Sequence, residues 1–410
     1  MRITCLGGGP AGLYFAILAK QRDPAHRITV VERNPAGATY GWGVVFWDEF
    51  LDGLYRNDPE SARQVQEASV LWEGLEVRVG AATGHLDGYG FSVSRRHLLE
   101  ILTRRATDLG VDVQHERELA DPAELYDMAP ELIVASDGAG SVLRERHGEH
   151  FGTTVAAGRN PYIWLGTSKV FDTFTFAFER TEAGWIWFHA YPYKAGTSTC
   201  IVECSPETWR GLGIDRLSPD AALVLLERIF ADPLDGHPLL NGWTGADAAP
   251  WLTFRQITNR TWYRDNVVLL GDAGHTTHFS IGSGTKLAVQ DAIGLADVLP
   301  SCAADLPQAL RAYDAQRRAA LAPVQRAAHA SMRWFEEVDG LLDGGADADA
   351  TRFAYALSER RGPFSPWRYR LHLATQNRTV RAIRREVDSA RRAQRARRRT
   401  EREPGPRVRT

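Results

Sequence analysis

Residues 2–32 read RITCLGGGPAGLYFAILAKQRDPAHRITVVE, and the order of residue types along this stretch decides the fold. A short apolar strand (RITCL, 2–6) runs into GGGPAG, an apolar-periodic helix (LYFAILAKQ) follows, and a second strand, ITVVE, closes the unit at 28–32. Strand, glycine turn, helix and strand in so short a span open a doubly wound α/β sheet. Gly7, Gly9 and Gly12 satisfy GxGxxG. The first allows the tight turn, the second lets the backbone approach a pyrophosphate, and the third packs helix on strand. The pattern alone is common; its place between a strand and a helix makes it specific. Glu32 ends the second strand about twenty residues past Gly12, where a carboxylate suits a ribose 2′-OH and repels a 2′-phosphate. The site therefore expects an adenosine diphosphate without a 2′-phosphate, in FAD or NAD. A glycine turn without ligand is the bland alternative.

A second cradle stands at 271–292, GDAGHTTHFSIGSGTKLAVQDA, after the apolar strand NVVLL (266–270). Its glycine-rich turn presents backbone N–H groups and the positive end of a helix dipole to something anionic. Two cradles far apart in one chain suggest a single cofactor bound across its length. Asp272 sits where apolar residues are expected, and a ribityl hydroxyl would explain it. If the ligand is a flavin, the N–H groups freed by Gly282 and Gly284 face its N1–C2=O edge and stabilise the reduced ring, each donor being worth ~3 kcal/mol. Between the cradles lies DGAGSVLR (137–144): Gly138 lets backbone close on a ligand, Asp137 ties the turn, and Ser141 and Arg144 serve either the turn or the cofactor. Arg95 opens a helix (SRRHLLEILTRRATDLG, 94–110) and could reach a diphosphate, while Arg96 reads as a solvated surface group. The cofactor-binding set is Gly7, Gly9, Pro10, Ala11, Gly12, Glu32, Arg33, Val44, Arg95, Asp137, Gly138, Asp272, Gly282, Gly284, Thr285 and Lys286. No second GxGxxG unit follows, so any nicotinamide visits transiently.

At 410 residues the chain calls for two domains plus appendages. A formal net charge of −2 predicts no bulk attraction to nucleic acid or membrane. The four cysteines (Cys5, Cys200, Cys204, Cys302) show neither CxxC nor metal-ligand spacing, and no metal site is expected. The first strand begins at about Arg2, leaving no room for a signal peptide, and no run approaches the ~20 apolar residues of a membrane span. The expectation is a cytoplasmic protein. From about Pro161 to Glu203 the pattern turns to period two with many aromatics, the mark of antiparallel strands. Long helical segments follow at about 306–336 and 350–385. The chain thus reads as an α/β protein with an α+β part. Residues 1–155 and 255–300 form a discontinuous doubly wound dinucleotide-binding domain. Residues 156–254 form an antiparallel-sheet substrate domain, 301–377 the C-terminal helices, and 378–410 an Arg-rich tail, a frayed helix running into disorder.

The three motifs in order, GxGxxG with Glu32, DGAGSVLR and GDAGH…GSG…DA, resemble the FAD motifs of para-hydroxybenzoate hydroxylase-like flavoprotein monooxygenases over roughly residues 1–300. That family usually carries Pro where Phe279 stands and Asn where Lys286 stands. A narrower subset looks closer. GWGVVFWDEF (41–50), KVFDTFTFAFE, HAYPY (189–193), STCIVECSPETWR, HTTHFSIGSGTKLAVQDAI and HASMRWFE resemble salicylyl-CoA 5-hydroxylase and the monooxygenase part of 2-aminobenzoyl-CoA monooxygenase/reductase, over about residues 1–340. In this subset Phe279 and Lys286 are regular, whereas Trp47 replaces a small Ser. A weaker resemblance, chiefly GGGPAG and GWGVV, runs to the tryptophan-derivative hydroxylases of violacein biosynthesis.

The resemblance implies that residues 1–155 and 255–300 are an FAD-binding domain of the GR2-type Rossmann kind, with non-covalent FAD, NADH or NADPH as transient reductant, and O2 adding at flavin C4a to give a hydroperoxide that attacks a hydroxy- or amino-substituted ring. The protein positions ring and oxidant and excludes water. The implied substrate is a salicylyl- or aminobenzoyl-type thioester, CoA- or carrier-bound. Candidate pocket residues are Trp47, Trp187, His189, Tyr191, His278 and Phe279, with His189, Tyr191 and His278 as the catalytic candidates. Trp185, Trp187, His189 and Tyr191 share one face of a strand, which makes either a pocket wall or a packed sheet face. His278, just before the flavin-facing glycines, could orient substrate or shuttle a proton; His275, within GDAGH, reads as structural. Lys286 meets a flavin oxygen, a carboxylate or a helix end. The Arg-rich tail reads as solvated, with phosphate binding as the sharper alternative. Rival functions are a hydroxylase of a free aromatic or indolic metabolite, a flavin-dependent reductase, and a flavin-binding protein without turnover. Oligomeric state stays open, a homodimer among the options.

Overall fold

Apolar, β-branched residues at Arg2–Leu6, Arg27–Val31 and Leu132–Ala135 build three neighbouring parallel strands, with Ile3 opposite both Ile28 and Leu132. The computed structural model describes residues 1–39, 41–119, 122–242, 249–299, 305–345, 349–361, 365–375 and 378–401. Cys302 and residues 402–410 of the tail lie outside the described residues. The chain divides into two units, one made of residues 1–40, 94–158 and 253–329, the other of 41–93, 159–252 and 330–410.

In the first unit the sheet runs in the order Tyr263–Arg264, Val267–Leu269, Leu132–Ala135, Arg2–Leu6, Arg27–Val31, Asp112–Gln114. All pairings are parallel except that of the Tyr263–Arg264 edge. Every residue of the helix Pro10–Arg22 from Pro10 to Ala19 is buried. It is enclosed because the helices Gly284–Val298 and Arg95–Asp108 pack on it, as an all-apolar helix requires.

The second unit holds a sheet in the order Leu239–Leu240, Thr154–Thr167 (from residue 159), Thr197–Cys204, Gly184–Lys194, Phe174–Thr181, Val70–Val79, Ala82–Ser94 (to residue 93), Gly43–Phe46. Its central strands are antiparallel, as the aromatic alternation predicts, but Val70–Val79 joins Phe174–Thr181 in parallel, Leu75 opposite Phe174. The strand Gly184–Lys194 is buried from Trp185 to Tyr193, so both of its faces are covered. Ile186, Phe188 and Ala190 face a cluster with Leu226, Phe230 and Leu234. Trp185 and Trp187 face Phe335, Val338, Phe353 and Leu357. Each such buried ring or branched side chain stabilises by ~1.5–3 kcal/mol.

The single helical segment expected over 350–385 is divided: Ala350–Ser358, Pro366–Thr375 and Arg378–Glu401, with Pro366 where a first turn tolerates proline. The last helix continues to Glu401 instead of fraying, because three of its arginines find acids. Arg392 pairs with Glu73, Arg395 reaches Asp48 at 3.0 Å, and Arg399 reaches Asp48 and Asp52, each at 2.6 Å. Burial opposes ionisation of Asp48, yet hydrogen bonds from Tyr89 and Arg399 outweigh it and hold the carboxyl below its usual range. Among the described residues no helix is long and apolar enough to cross a membrane.

Candidate functional site

The glycine turn of the first unit is fixed by sterics. Gly7 has φ +101, and its N–H donates to the Val31 carbonyl at 2.8 Å. A Cβ on Gly12 would lie 2.4 Å from both the Gly7 carbonyl oxygen and Ser136 Oγ, so no side chain fits there. Ser136 Oγ donates to the carbonyls of Leu6 and Gly7, both at 3.0 Å, and seals the turn from behind. In front, nothing stands within 4 Å of a Cβ built on Gly9, the N-cap of the Pro10–Arg22 helix, and no side chain caps that end. Backbone N–H groups at a helix start facing open space form an anion cradle. Pro10 and Ala11, buried in its first turn, set the backbone of that end. The Glu32 carboxylate accepts from Gly8 N–H at 2.7 Å and from Asn34 N–H at 2.8 Å, which pins it beside the turn. Arg33, next to it, is exposed.

The other two motifs converge on this turn. Asp137 Oδ2 accepts from Val142 N–H at 2.9 Å, and burial raises its pKa above the usual carboxylate range. Gly138 has φ +82 with open space where a Cβ would be. Ser141 and Arg144 serve the turn: Ser141 Oγ caps the following helix by accepting from Arg144 N–H at 3.3 Å. The fully buried Arg144 donates to the Ala139 carbonyl at 2.6 Å and to the Ala273 carbonyl at 3.2 Å. One guanidinium thereby clasps the second motif to the third. Gly271, at φ +61, brings the third motif against the first helix, since a Cβ there would lie 3.0 Å from Ala11 Cβ.

Asp272 is solvent-accessible, although the protein around it raises its pKa against the pull of His275 and Arg95. Arg95, half-buried at a helix start, donates from Nε to Thr39 Oγ1 at 3.1 Å, and burial lowers its pKa while Asp272 opposes that shift. Gly282, at φ +60, ends a short turn. The helix Gly284–Val298 then starts at Ser283 without a side-chain cap, with nothing within 4 Å of a Cβ on Gly284. Thr285 and Lys286 are half-buried in its first turn. A diphosphate-bearing dinucleotide fits this set of open glycines, uncapped helix ends and accessible acid.

The sequence places Asp291 in the third motif but does not reveal its role, which is to hold that motif in place. Asp291, fully buried, accepts from Gly271 N–H at 3.2 Å, lies 2.7 Å from His275 Nε2 and accepts from Arg317 Nε at 2.8 Å. Burial opposes its charge, but His275 and Arg317 outweigh that and hold the carboxyl below its usual range. The His275 ring stacks on Trp262 at 4.9 Å. An acid followed by Ala in an otherwise apolar helix (AVQDAIGLA) was the available signal. His278 is buried, with Nδ1 2.7 Å from Ser280 Oγ and its ring 4.1 Å from that of the half-buried Phe279.

The remaining candidates belong to the second unit. Trp187 is buried between Phe178 and Phe335, at ring distances of 5.9 and 6.1 Å. His189 stacks on Phe174 at 5.8 Å; burial, aided by the Arg360 charge, pushes its pKa down to about 3, so its imidazole is neutral at physiological pH. Tyr191 donates its hydroxyl to the Gly43 carbonyl at 2.9 Å, and Thr199 Oγ1 accepts from Gly43 N–H at 2.9 Å, which fastens the strand that carries the buried Val44. Trp47 is half-buried, edge-on to Trp72 at 6.4 Å.

Residues 84–328 match the FAD binding domain family. The chain is 37% identical over 372 residues to salicyloyl-CoA 5-hydroxylase of Streptomyces sp., covering 88% of this chain and 70% of that protein. It is 36% identical over 370 residues to 3-hydroxy-4-methyl-anthranilyl-[aryl-carrier protein] 5-monooxygenase of Streptosporangium sibiricum, covering 90% and 96%. In three dimensions it resembles 2-methyl-3-hydroxypyridine-5-carboxylic acid oxygenase, with a TM-score of 0.66, 20% identity and coverage of 88% and 96%.

Proposed function

Because the chain belongs to the FAD binding domain family of flavoprotein aromatic monooxygenases, we propose that it hydroxylates a hydroxy- or amino-substituted aromatic ring carried as an acyl thioester, using NAD(P)H and O2. The observation that carries this reading is the similarity, along nearly the whole chain, to two relatives whose names both specify such a ring on a thioester carrier. The relative named for a carrier-protein substrate is matched over nearly its whole length, which sets the carrier-bound form beside the CoA form in this reading.

FAD is the cofactor, and when bound and reduced it supplies the two electrons that let O2 place one oxygen on the ring. The protein's own residues do the rest. The uncapped helix end at Gly9 would hold the pyrophosphate, Glu32 the adenosine ribose and Asp272 the ribityl chain. The N–H groups at the Gly284 helix end would stabilise negative charge on the ring. His278 and Phe279, on the turn before that helix, orient substrate, and Trp47 sets pocket size. His189, as a neutral imidazole, contributes a hydrogen bond and no proton at physiological pH, while Trp187 and Tyr191 hold the sheet that frames the substrate part.

Purified protein tests this. A flavin spectrum, NAD(P)H oxidation stimulated by salicyloyl-CoA in air, and a product heavier by one oxygen are the expected results. Product formed anaerobically with no oxygen gained overturns the reading in favour of a reductase, and turnover of free acids alone removes the thioester.

A further inference from the structure

Trp367, Leu371 and Ile383, at 62, 60 and 56% exposure, are the three most exposed large hydrophobic side chains among the described residues, and all fall on two consecutive helices, Pro366–Thr375 and Arg378–Glu401. Each helix already has an inward face. On the first, the rings of Tyr369 and His372 pack on Tyr355 at 5.3 and 5.4 Å. Trp367 and Leu371, one turn apart, lie on its opposite side. On the second, the acid-paired Arg392 and Arg399 point inward. At about 100° per residue, Ile383, Val387, Arg391 and Arg398 fall within about 80° of one another on the side away from Arg392 and Arg399. Arg391 is 73% exposed, and its ion pair, to Asp388 at 3.9 Å, stays within the helix. An exposed apolar patch rimmed by charge marks an interaction surface.

We propose that this face docks a carrier protein with an acidic, partly apolar surface that delivers the aryl thioester, an inference that rests on the thioester reading in its carrier-bound form. Charge selects the partner. Residues 378–401 hold ten arginines against three acidic residues of their own, an excess larger than the three further acids, Asp48, Asp52 and Glu73, that pair with the helix, so the complementary surface is acidic. The apolar stripe argues against a lone thioester cofactor. From Ile383 to Arg398 the face runs about 22 Å along the helix axis, and phosphates would meet its arginines but leave its apolar stripe uncovered. A protein helix bearing both acids and apolar residues covers both.

The experiment compares one ring on two carriers, using the full-length holoenzyme. Salicylate is offered as salicyloyl-CoA and as a thioester on the phosphopantetheine of an acidic aryl-carrier protein, to wild type, to Arg391→Glu/Arg398→Glu and to Trp367→Ser/Ile383→Ser. The expected result is a rise of about tenfold or more in KM for the carrier-borne substrate in both double variants, with kcat and the KM for salicyloyl-CoA unchanged. Added salt should weaken the wild type toward the variants for the carrier-borne substrate only. Equal changes for both substrates, or none, overturn the proposal. So does a dimer that turns monomeric in the variants, or wild-type binding to phosphatidylglycerol vesicles that the variants lose while carrier kinetics stay put. Turnover of salicyloyl-CoA without turnover of the carrier form defeats this inference and leaves the proposed function standing; failure of both thioesters defeats both.

Discussion

Asp291→Asn is the substitution that bears most directly on the turn proposed to hold the flavin. The carboxylate is inaccessible to solvent and serves three donors at once: Gly271 N–H, His275 and the nearly buried Arg317. Removing one partner of a buried ion pair leaves an uncompensated charge and costs about 3–5 kcal/mol. An amide restores one acceptor while aiming its own N–H at a donor, so a loss of about 3 kcal/mol is the expected lower figure. Stability is read from urea unfolding at pH 7, where the midpoint should fall while the slope stays the same. The folded carboxyl titrates below its ordinary range, so its contribution is complete above the unfolded value near 3.8 and vanishes as pH falls through the folded one. The gap between wild type and variant must therefore narrow at acid pH. Because Asp291 anchors the turn that carries Asp272, flavin retained through gel filtration should fall as well. A variant within about 1 kcal/mol of wild type that keeps its flavin refutes the reasoning.

Three further outcomes follow from the same geometry. Gly12→Ala forces a methyl to 2.4 Å from the Gly7 carbonyl, and the purified variant should be colourless, as absorbance near the flavin maxima will report. Glu203 is buried beside Asn160, and burial pushes its pKa up to about 8. The fold then keeps a proton that the unfolded chain sheds above pH 4.5, so wild-type stability should decline by up to ~1.4 kcal/mol per pH unit from 4.5 to 8; in Glu203→Gln that slope should flatten, and a parallel slope in thermal melts counts against it. Tyr191→Phe leaves the Gly43 carbonyl without its donor, and chemical denaturation should show a loss of about 1–3 kcal/mol.

The nucleotide-binding sheet was legible because its information is local: glycines, one acid and strand periodicity all lie within a few residues of the turns they shape. Alternation likewise predicted the aromatic strands, and both faces of Gly184–Lys194 are packed. The hairpin Val70–Val79 and Ala82–Ser94 escaped notice. Glycines at 74, 84, 88 and 90 interrupt its pattern, Leu71 is left exposed, and its place in the sheet is set by parallel pairing with Phe174–Thr181, about a hundred residues away. The ordered part of the Arg-rich tail was hidden for the same reason, since Asp48, Asp52 and Glu73 are remote in sequence. Asp291 stood in the third motif without a role, because its partners, one sixteen residues before it and one twenty-six after, meet only in the fold.

The clasp made by Arg144 has a consequence for how such chains can recombine. One guanidinium joins carbonyls at Ala139 and Ala273, and most of the second unit's sheet is encoded between them. The sheet can be exchanged as an insert only if both flanks come from the same parent or from parents that share the clasp. A hybrid gene with a single crossover between codons 144 and 273, from parents that differ there, should yield folded protein that fails to hold its flavin. The two ends of this enzyme are thus coupled in any exchange of its middle.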